Sequence, residues 1–147
     1  MKWVTRNNAK VDRIACPWLI KRFIDPDAQF LYVPGDDVAD VVKSEGAIPY
    51  DVPNAELGHV DGRCSFESIL LKYGLSDPAL LLVGRIVHGA DISKDISIEP
   101  EAAGLHAIAH GFSDLFGEHD AQKIDHEFPM YDALFAWCKR RTAATPG

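Results

Sequence analysis

Within the stretch ELGHVDGRCSFESILLKYGL, residues 56–75, the side chains most able to do chemistry are His59, Asp61, Arg63, Cys64 and Glu67. His59 offers an imidazole nitrogen and Glu67 a carboxylate oxygen, and a loop folded back across the first helical turn would bring the two together. That pair of donors suits Zn, Fe or Mn better than Ca or Mg. Two donors do not complete a site. The nearest further supply is IVHGADI, where His88 and Asp91 close the next helical segment. Spacing i to i+3 puts those two on one side of a continuing helix, but Gly89 is expected to end it. The metal expectation therefore rests on His59, Glu67 and Asp91. The cofactor would be a transition metal ion (Zn, Fe or Mn) with an open position able to activate water or oxygen species.

Each of these residues also has a structural explanation. Glu67 falls at about the second helical position behind a Ser65 cap, where a carboxylate stabilises the helix by roughly 0.3–1 kcal/mol through the macrodipole. The GH and DG pairs mark turns, so His59 and Asp61 read equally as hydrogen-bonded loop residues, and Asp91 as a turn-forming residue. A second chemistry uses other side chains: Arg13, Arg22 and Arg63 would grip an oxyanion while Cys16 or Cys64 answers an oxidant. Cys16 precedes Pro17 at an expected helix start with Arg13 close by, a setting that lowers a thiol pKa, although buried packing explains a free cysteine as well.

The remaining candidates carry weaker signals. HAIAH places His106 and His110 at the i, i+4 spacing of zincin helices, but Ala107 stands where that motif needs an acid. With Leu105, Ile108, Phe112, Leu115 and Phe116 as the buried stripe, both histidines are expected to face solvent. Cys138 continues the stripe of Tyr131, Leu134 and Phe135 and belongs to the core, while Asp132 sits at its edge, either as a ligand or solvated. No GxSxG, no GxGxxG after a strand and no P-loop occurs, so hydrolase, dinucleotide and nucleotide readings lack support.

The elements that must position these residues are short strands and helices first, then helices. KWVT, AQFLYV (28–33) and AIPYDV (47–52) read as strands. CPWLIKRFI reads as a helix with Pro17 at its first position, and DDVADVVKSEG as a second helix stopped by Gly46. FESILLKYG follows a Ser65 cap. SDPALLLVGRIVHGAD starts on Ser76 or Asp77 with Pro78 just inside. SIEPEAAGLHAIAHGFSDLFG gives a further helix, and the segment from Asp120 to Arg140 another that Pro129 must kink or split. The expected fold is α+β, with a small β-sheet and helices in the N-terminal half and a helical C-terminal half. It forms a single domain over 1–142 with a loose tail at 143–147.

Composition narrows the partners. A chain of 147 residues with 47% hydrophobic and 25% charged residues buries enough apolar surface to fold without staples. A net charge of -7 with scattered lysines and arginines argues against direct nucleic-acid binding. Three cysteines without a CxxC suit a reducing compartment. The start lacks an apolar leader and no run reaches membrane-spanning length, so a cytoplasmic protein is expected.

Taken together, KWVTRNNAKVDRIACPWLIKRFIDPDAQFLYV, ELGHVDGRCSFESILLKYGL, IVHGADI, PEAAGLHAIAHGFS and MYDALFAWC resemble the chromate-resistance domain that forms the C-terminal part of the regulator ChrB. The matching residues are Arg13, Cys16, Pro17, Trp18, Arg22 and Asp25, then Gly58, His59, Gly62, Cys64 and Glu67, then Asp91 and Asp132. His88, His106 and His110 fall outside the pattern. The resemblance implies a role in chromate or stress responses, in a family whose regulator also carries an N-terminal DNA-binding region. Beginning at Met1, the chain is expected to lack that region and to contact DNA only through a separate regulatory chain. Three readings follow from this: a metal-binding protein with metal-dependent redox or stress chemistry, a chromate or oxyanion sensor, and an interaction domain, any of them possible as a homo-oligomer.

Overall fold

The structure, a computed structural model, describes residues 1–143. Three parallel strands carry its N-terminal half: β1 (Lys2–Arg6), β2 (Gln29–Val33) and β3 (Ile48–Pro49), in the order β2-β1-β3. β1 is central, pairing Trp3 with Phe30 on one side and with Ile48 on the other. Its Trp3, Val4 and Thr5 are all buried, as a strand covered on both faces requires. Helix α1 (Asp12–Phe23) crosses from β1 to β2 and packs Trp3 into the main core. Helix α2 (Val38–Glu45) crosses from β2 to β3 and closes a smaller core of Val4, Val38 and Ala47. Gly46 ends α2 at φ 64°, a left-handed turn that suits glycine.

The helical half comprises α3 (Ser65–Lys72), α4 (Pro78–Asp91), α5 (Ala102–Phe116) and α6 (Asp120–Ala143). α4 is apolar nearly all round because it is the central helix, touching α3, α5 and α6. Asp77 caps it, accepting from the amides of Ala79 and Leu80 with Pro78 at the first position. Trp18 ties α1 to the rest: fully buried, it packs against Phe66, Tyr131 and Phe135, and its indole donates to Asp132 Oδ1 at 2.7 Å.

Five local expectations are corrected. α1 starts at Asp12, so Pro17 lies inside it; Pro17 offers no N–H to the Arg13 carbonyl, and the Tyr32 hydroxyl donates there instead at 2.6 Å. Cys64, not Ser65, caps α3, which makes Glu67 its third residue. Gly89 does not end α4; a Cβ there would meet Ala102 Cβ at 2.7 Å, so glycine lets α5 approach while the helix continues to Asp91. On α5 the buried positions are Ala102, Leu105 and Ala109, whereas Ile108 and Leu115 are 52% and 77% exposed. Finally, Pro129 does not split α6, which runs as one helix to Ala143 and takes in the first residue of the expected tail; the rest of that tail lies outside the described residues.

Candidate metal centre

The site is assembled from four separated segments. Asp12 opens α1, Asp51 follows β3, His59 stands on the loop before α3, and Asp91 ends α4. His59 Nε2 lies 3.1 Å from Asp91 Oδ2, 3.3 Å from Asp51 Oδ1 and 3.7 Å from Asp12 Oδ2. Asp12 is fully buried, held by the first amides of α3: Ser65 N–H donates to Oδ2 at 2.7 Å and Phe66 N–H to Oδ1 at 3.1 Å. The Ser65 hydroxyl donates to Asp51 Oδ1 at 2.9 Å. Asp51 sits at φ 48°, a left-handed conformation that Asp tolerates better than most residues, and this turns its carboxylate toward the others.

The electrostatics follow from three carboxylates facing one imidazole. Asp12, then Asp51 and Asp91, push the His59 pKa up to about 12, against the opposing effect of burial. Burial pushes the Asp12 carboxyl up to about 7; the bond from His59 opposes this and the Asp51 and Asp91 charges add to it. The α3 amides also oppose the shift by favouring the ionised form, but burial sets its direction. Asp12, Asp51, His59 and Asp91 line a cavity of about 500 Å³, together with Arg6, Lys10, Arg13, His106 and His110. The two histidines expected in solvent therefore border the cavity, with ring centroids 4.1 Å apart.

The expected ligands separate into two groups. His59 and Asp91 meet at the cavity floor, while Glu67 turns to His88 Nδ1, and His88 Nε2 faces Asp95 Oδ2 at 2.7 Å. Glu67 Oε1 also accepts from the Cys64 N–H at 3.1 Å, closing a capping box. Burial opposes protonation of His88, but Asp95 and Glu67 together outweigh it and raise its pKa.

The residues expected to grip an oxyanion are likewise dispersed. Arg13 lines the cavity, with its Nε 3.6 Å from Asp51 and its remaining nitrogens donating to the carbonyls of Arg6, Asn7 and Asn8. Arg22 pairs with Asp132 at 3.0 and 2.9 Å, and Arg63 lies 3.9 Å from Asp61. The setting expected for Cys16 is corrected: it lies within α1 rather than at its start, is fully buried, and donates to Asp12 Oδ1 at 3.3 Å. Burial, then the Asp12 and Asp51 charges, raises its pKa, and burial with the nearby carboxylates does the same for Cys64. Cys138 is buried in the core as expected.

Sequence reasoning missed Asp12 and Asp51 as site residues. Asp12 carries the ordinary signal of an acid in a first helical turn, and Asp51 that of a turn residue between Tyr50 and Pro53. Nothing local distinguishes them from such residues elsewhere.

A parallel three-stranded sheet joined to a helical half, with histidine and carboxylates gathered in a cavity where the two meet, defines an α+β domain with a polar, solvent-reachable site. Residues 3–138 match the family described as ChrB, C-terminal domain, and the chain belongs to that chromate-resistance family. It is 36% identical over 135 residues to Protein ChrB of Cupriavidus metallidurans, an alignment covering 91% of this chain and 40% of that protein. The chain thus spans less than half the length of that relative. No solved structure matches it. Among the described residues, no helix is long and apolar enough to cross a membrane.

Proposed function

We propose that this chromate-resistance domain binds a transition metal ion at the cavity floor through His59 Nε2, Asp91 and Asp12, with Asp51 alongside. The observation that carries the reading is the convergence of three carboxylates on one imidazole nitrogen. Three carboxylates sharing one cationic ring leave negative charge in a partly desolvated place, and a divalent ion offsets it better than a single proton. Imidazole and carboxylate donors suit Zn, Fe or Mn. Such an ion would supply Lewis-acid or redox chemistry, and the cavity leaves room for a small ligand beside it. The test is metal analysis of the purified chain after dialysis. The double variant His59→Ala/Asp91→Ala is expected to hold one equivalent less than the parent, and unchanged metal content would end the reading.

A second reading rests on the cavity's cationic wall, where Arg6, Lys10 and Arg13 face the same space and Arg6 Nε is buried without a hydrogen-bond partner. An oxyanion, sulfate or chromate, would fit those donors. Calorimetric titration with sulfate tests it, since sulfate has the shape and charge of chromate without its oxidising power. Equal affinity in the parent and in Arg6→Ala/Arg13→Ala would exclude it.

A further inference from the structure

Cys64, Glu67 and His88 present a sulfur, an oxygen and a nitrogen within 4.8 Å of one another. Cys64 and Glu67 come from the start of α3, and His88 from the last turn of α4. The capping box explains part of this arrangement, since the Cys64 sulfur accepts from the Glu67 amide and Glu67 answers the Cys64 amide. It does not explain why a cysteine stands where Ser, Thr, Asp or Asn caps best, nor why a buried histidine faces the same carboxylate.

The bond to Asp95 bears on that second question. Asp95 Oδ2 can only accept, so His88 Nε2 carries a proton, and Nδ1 is the atom turned to Glu67. Two acceptors face to face need a positive species between them, either a proton or a metal ion. A histidine that donates one ring N–H to a carboxylate while directing its other nitrogen at further donors is the arrangement that fixes tautomer and orientation in zinc sites.

We propose that Cys64 Sγ, Glu67 and His88 Nδ1 form a second metal position, selective for a borderline-soft divalent ion of the Zn(II) or Co(II) kind, with Asp95 orienting His88. It differs from the cavity floor in kind, because a thiolate joins the donor set and favours softer ions than the floor's imidazole and carboxylates. The two positions share a scaffold: Asp12 accepts from the amides of Ser65 and Phe66, next to Cys64, and Asp91 follows His88 by about one helical turn. The inference stands on its own residues and does not require the floor to bind metal. On binding, the Cys64 thiol proton and the proton held between His88 Nδ1 and Glu67 both leave to solvent, and metal bonds form to Sγ, Nδ1 and the Glu67 carboxylate, with no change of oxidation state.

The experiment is a Co(II) titration of the metal-free full chain, followed by the near-ultraviolet charge-transfer band of thiolate-bound cobalt. The band is expected in the parent and in His59→Ala/Asp91→Ala, and in Cys16→Ser and Cys138→Ser. It is expected to vanish in Cys64→Ser, a change that keeps a good helix cap, so circular dichroism should be unaltered. Asp95→Asn should keep the band but weaken that equivalent by about 10–100-fold. Absence of the band in the parent, or its persistence in Cys64→Ser, overturns the second position. Loss of the band in the His59/Asp91 variant overturns it as an independent site. A band retained there with no metal lost would instead sink the cavity-floor reading and leave this one standing.

Discussion

At the start of α6, Lys123 is buried with its ammonium on Asp120 Oδ1 at 3.1 Å and on the Ala9 carbonyl at 2.8 Å, while Asp120 accepts from the amides of Asn8 and Ala9. At the cavity floor, by contrast, Asp12, Asp51 and Asp91 share one imidazole nitrogen. Both clusters take charge out of water, and burial alone would rank the Lys123 cluster first. The difference lies in completeness. The cluster on α6 matches donors to acceptors within the chain and pins the 7–11 loop that leads into Asp12. The floor has an excess of acceptors and opens on a cavity, so it can still gain by binding a cation.

The largest expected effect tests that contrast directly. Lys123→Ala should lower unfolding free energy by about 3–5 kcal/mol, because it strands a buried carboxylate away from water, whereas His59→Ala, at a partly exposed ring over an open cavity, should cost less, because water entering the cavity can offset part of the charge it leaves. Both are read by denaturant unfolding of the metal-free chain. Equal losses would mean that the floor is as self-sufficient as the α6 cluster.

Asp12 joins both kinds of role, since it holds the first amides of α3 and also faces His59. Asp12→Ala is expected to cost about 1–3 kcal/mol from the stranded amides and to remove the floor's metal equivalent. Asp91→Ala should remove the same equivalent at a smaller cost in stability. If the Asp12 variant keeps its metal, its carboxylate is a helix anchor alone.

Glu127 sharpens the comparison from the α6 side, because it lies beside the completed pair yet both its oxygens are buried without partners. Burial raises its pKa to about 8; Lys123 opposes and Asp120 adds to the shift, and Tyr32 and Tyr131 are its other titratable neighbours. An acid whose folded pKa exceeds its unfolded value binds more protons when folded, so its effect on stability is harmless below about 4.5 and grows unfavourable as pH rises to about 8. Stability should therefore fall across that window, by about 1–3 kcal/mol, the cost of an unpartnered buried polar group. Glu127→Gln should flatten the slope, and an unchanged slope would assign it to another group.

Much of the architecture was legible from pattern and capping. The first two strands, the Asp77–Pro78 start of α4 and the Gly46 stop all rest on local chemistry and appear where expected, whereas the third strand shrinks to Ile48–Pro49 because Asp51 turns the chain at φ 48°. Local signals failed where a distant partner decides: Pro17 is tolerated inside α1 alongside a bond from Tyr32 on β2, and Gly89 stays helical because α5 comes close. The site was half legible for the same reason. His59 and Asp91 stood out by type, but their meeting with Asp12 and Asp51 depends on how the sheet crossovers set loops from four segments together. Glu67, on the helix that follows the His59 loop, is drawn away by the capping box and His88.

The smallest expected effect concerns the two histidines set on the wrong face by the α5 stripe. His106 Nδ1 lies 2.9 Å from the Ala90 carbonyl, which belongs to the last turn of α4, where carbonyls lack helical partners. Since a carbonyl only accepts, Nδ1 carries the proton, and His106 secures the turn that presents Asp91. His110 lies beside it with the rings tilted by 31°, and burial, then the nearby His106 and Lys10, lowers its pKa, which keeps it neutral. His106→Ala should cost about 0.5–1.5 kcal/mol for one lost hydrogen bond and leave the number of metal equivalents unchanged. His110→Ala should cost less than that, within about 0.5 kcal/mol, as a partly buried ring with no bond to the floor. Metal analysis beside thermal unfolding separates the possibilities. Loss of an equivalent in His106→Ala would make that ring a ligand and extend the metal centre up the cavity wall. Loss of stability alone would confine it to positioning α4.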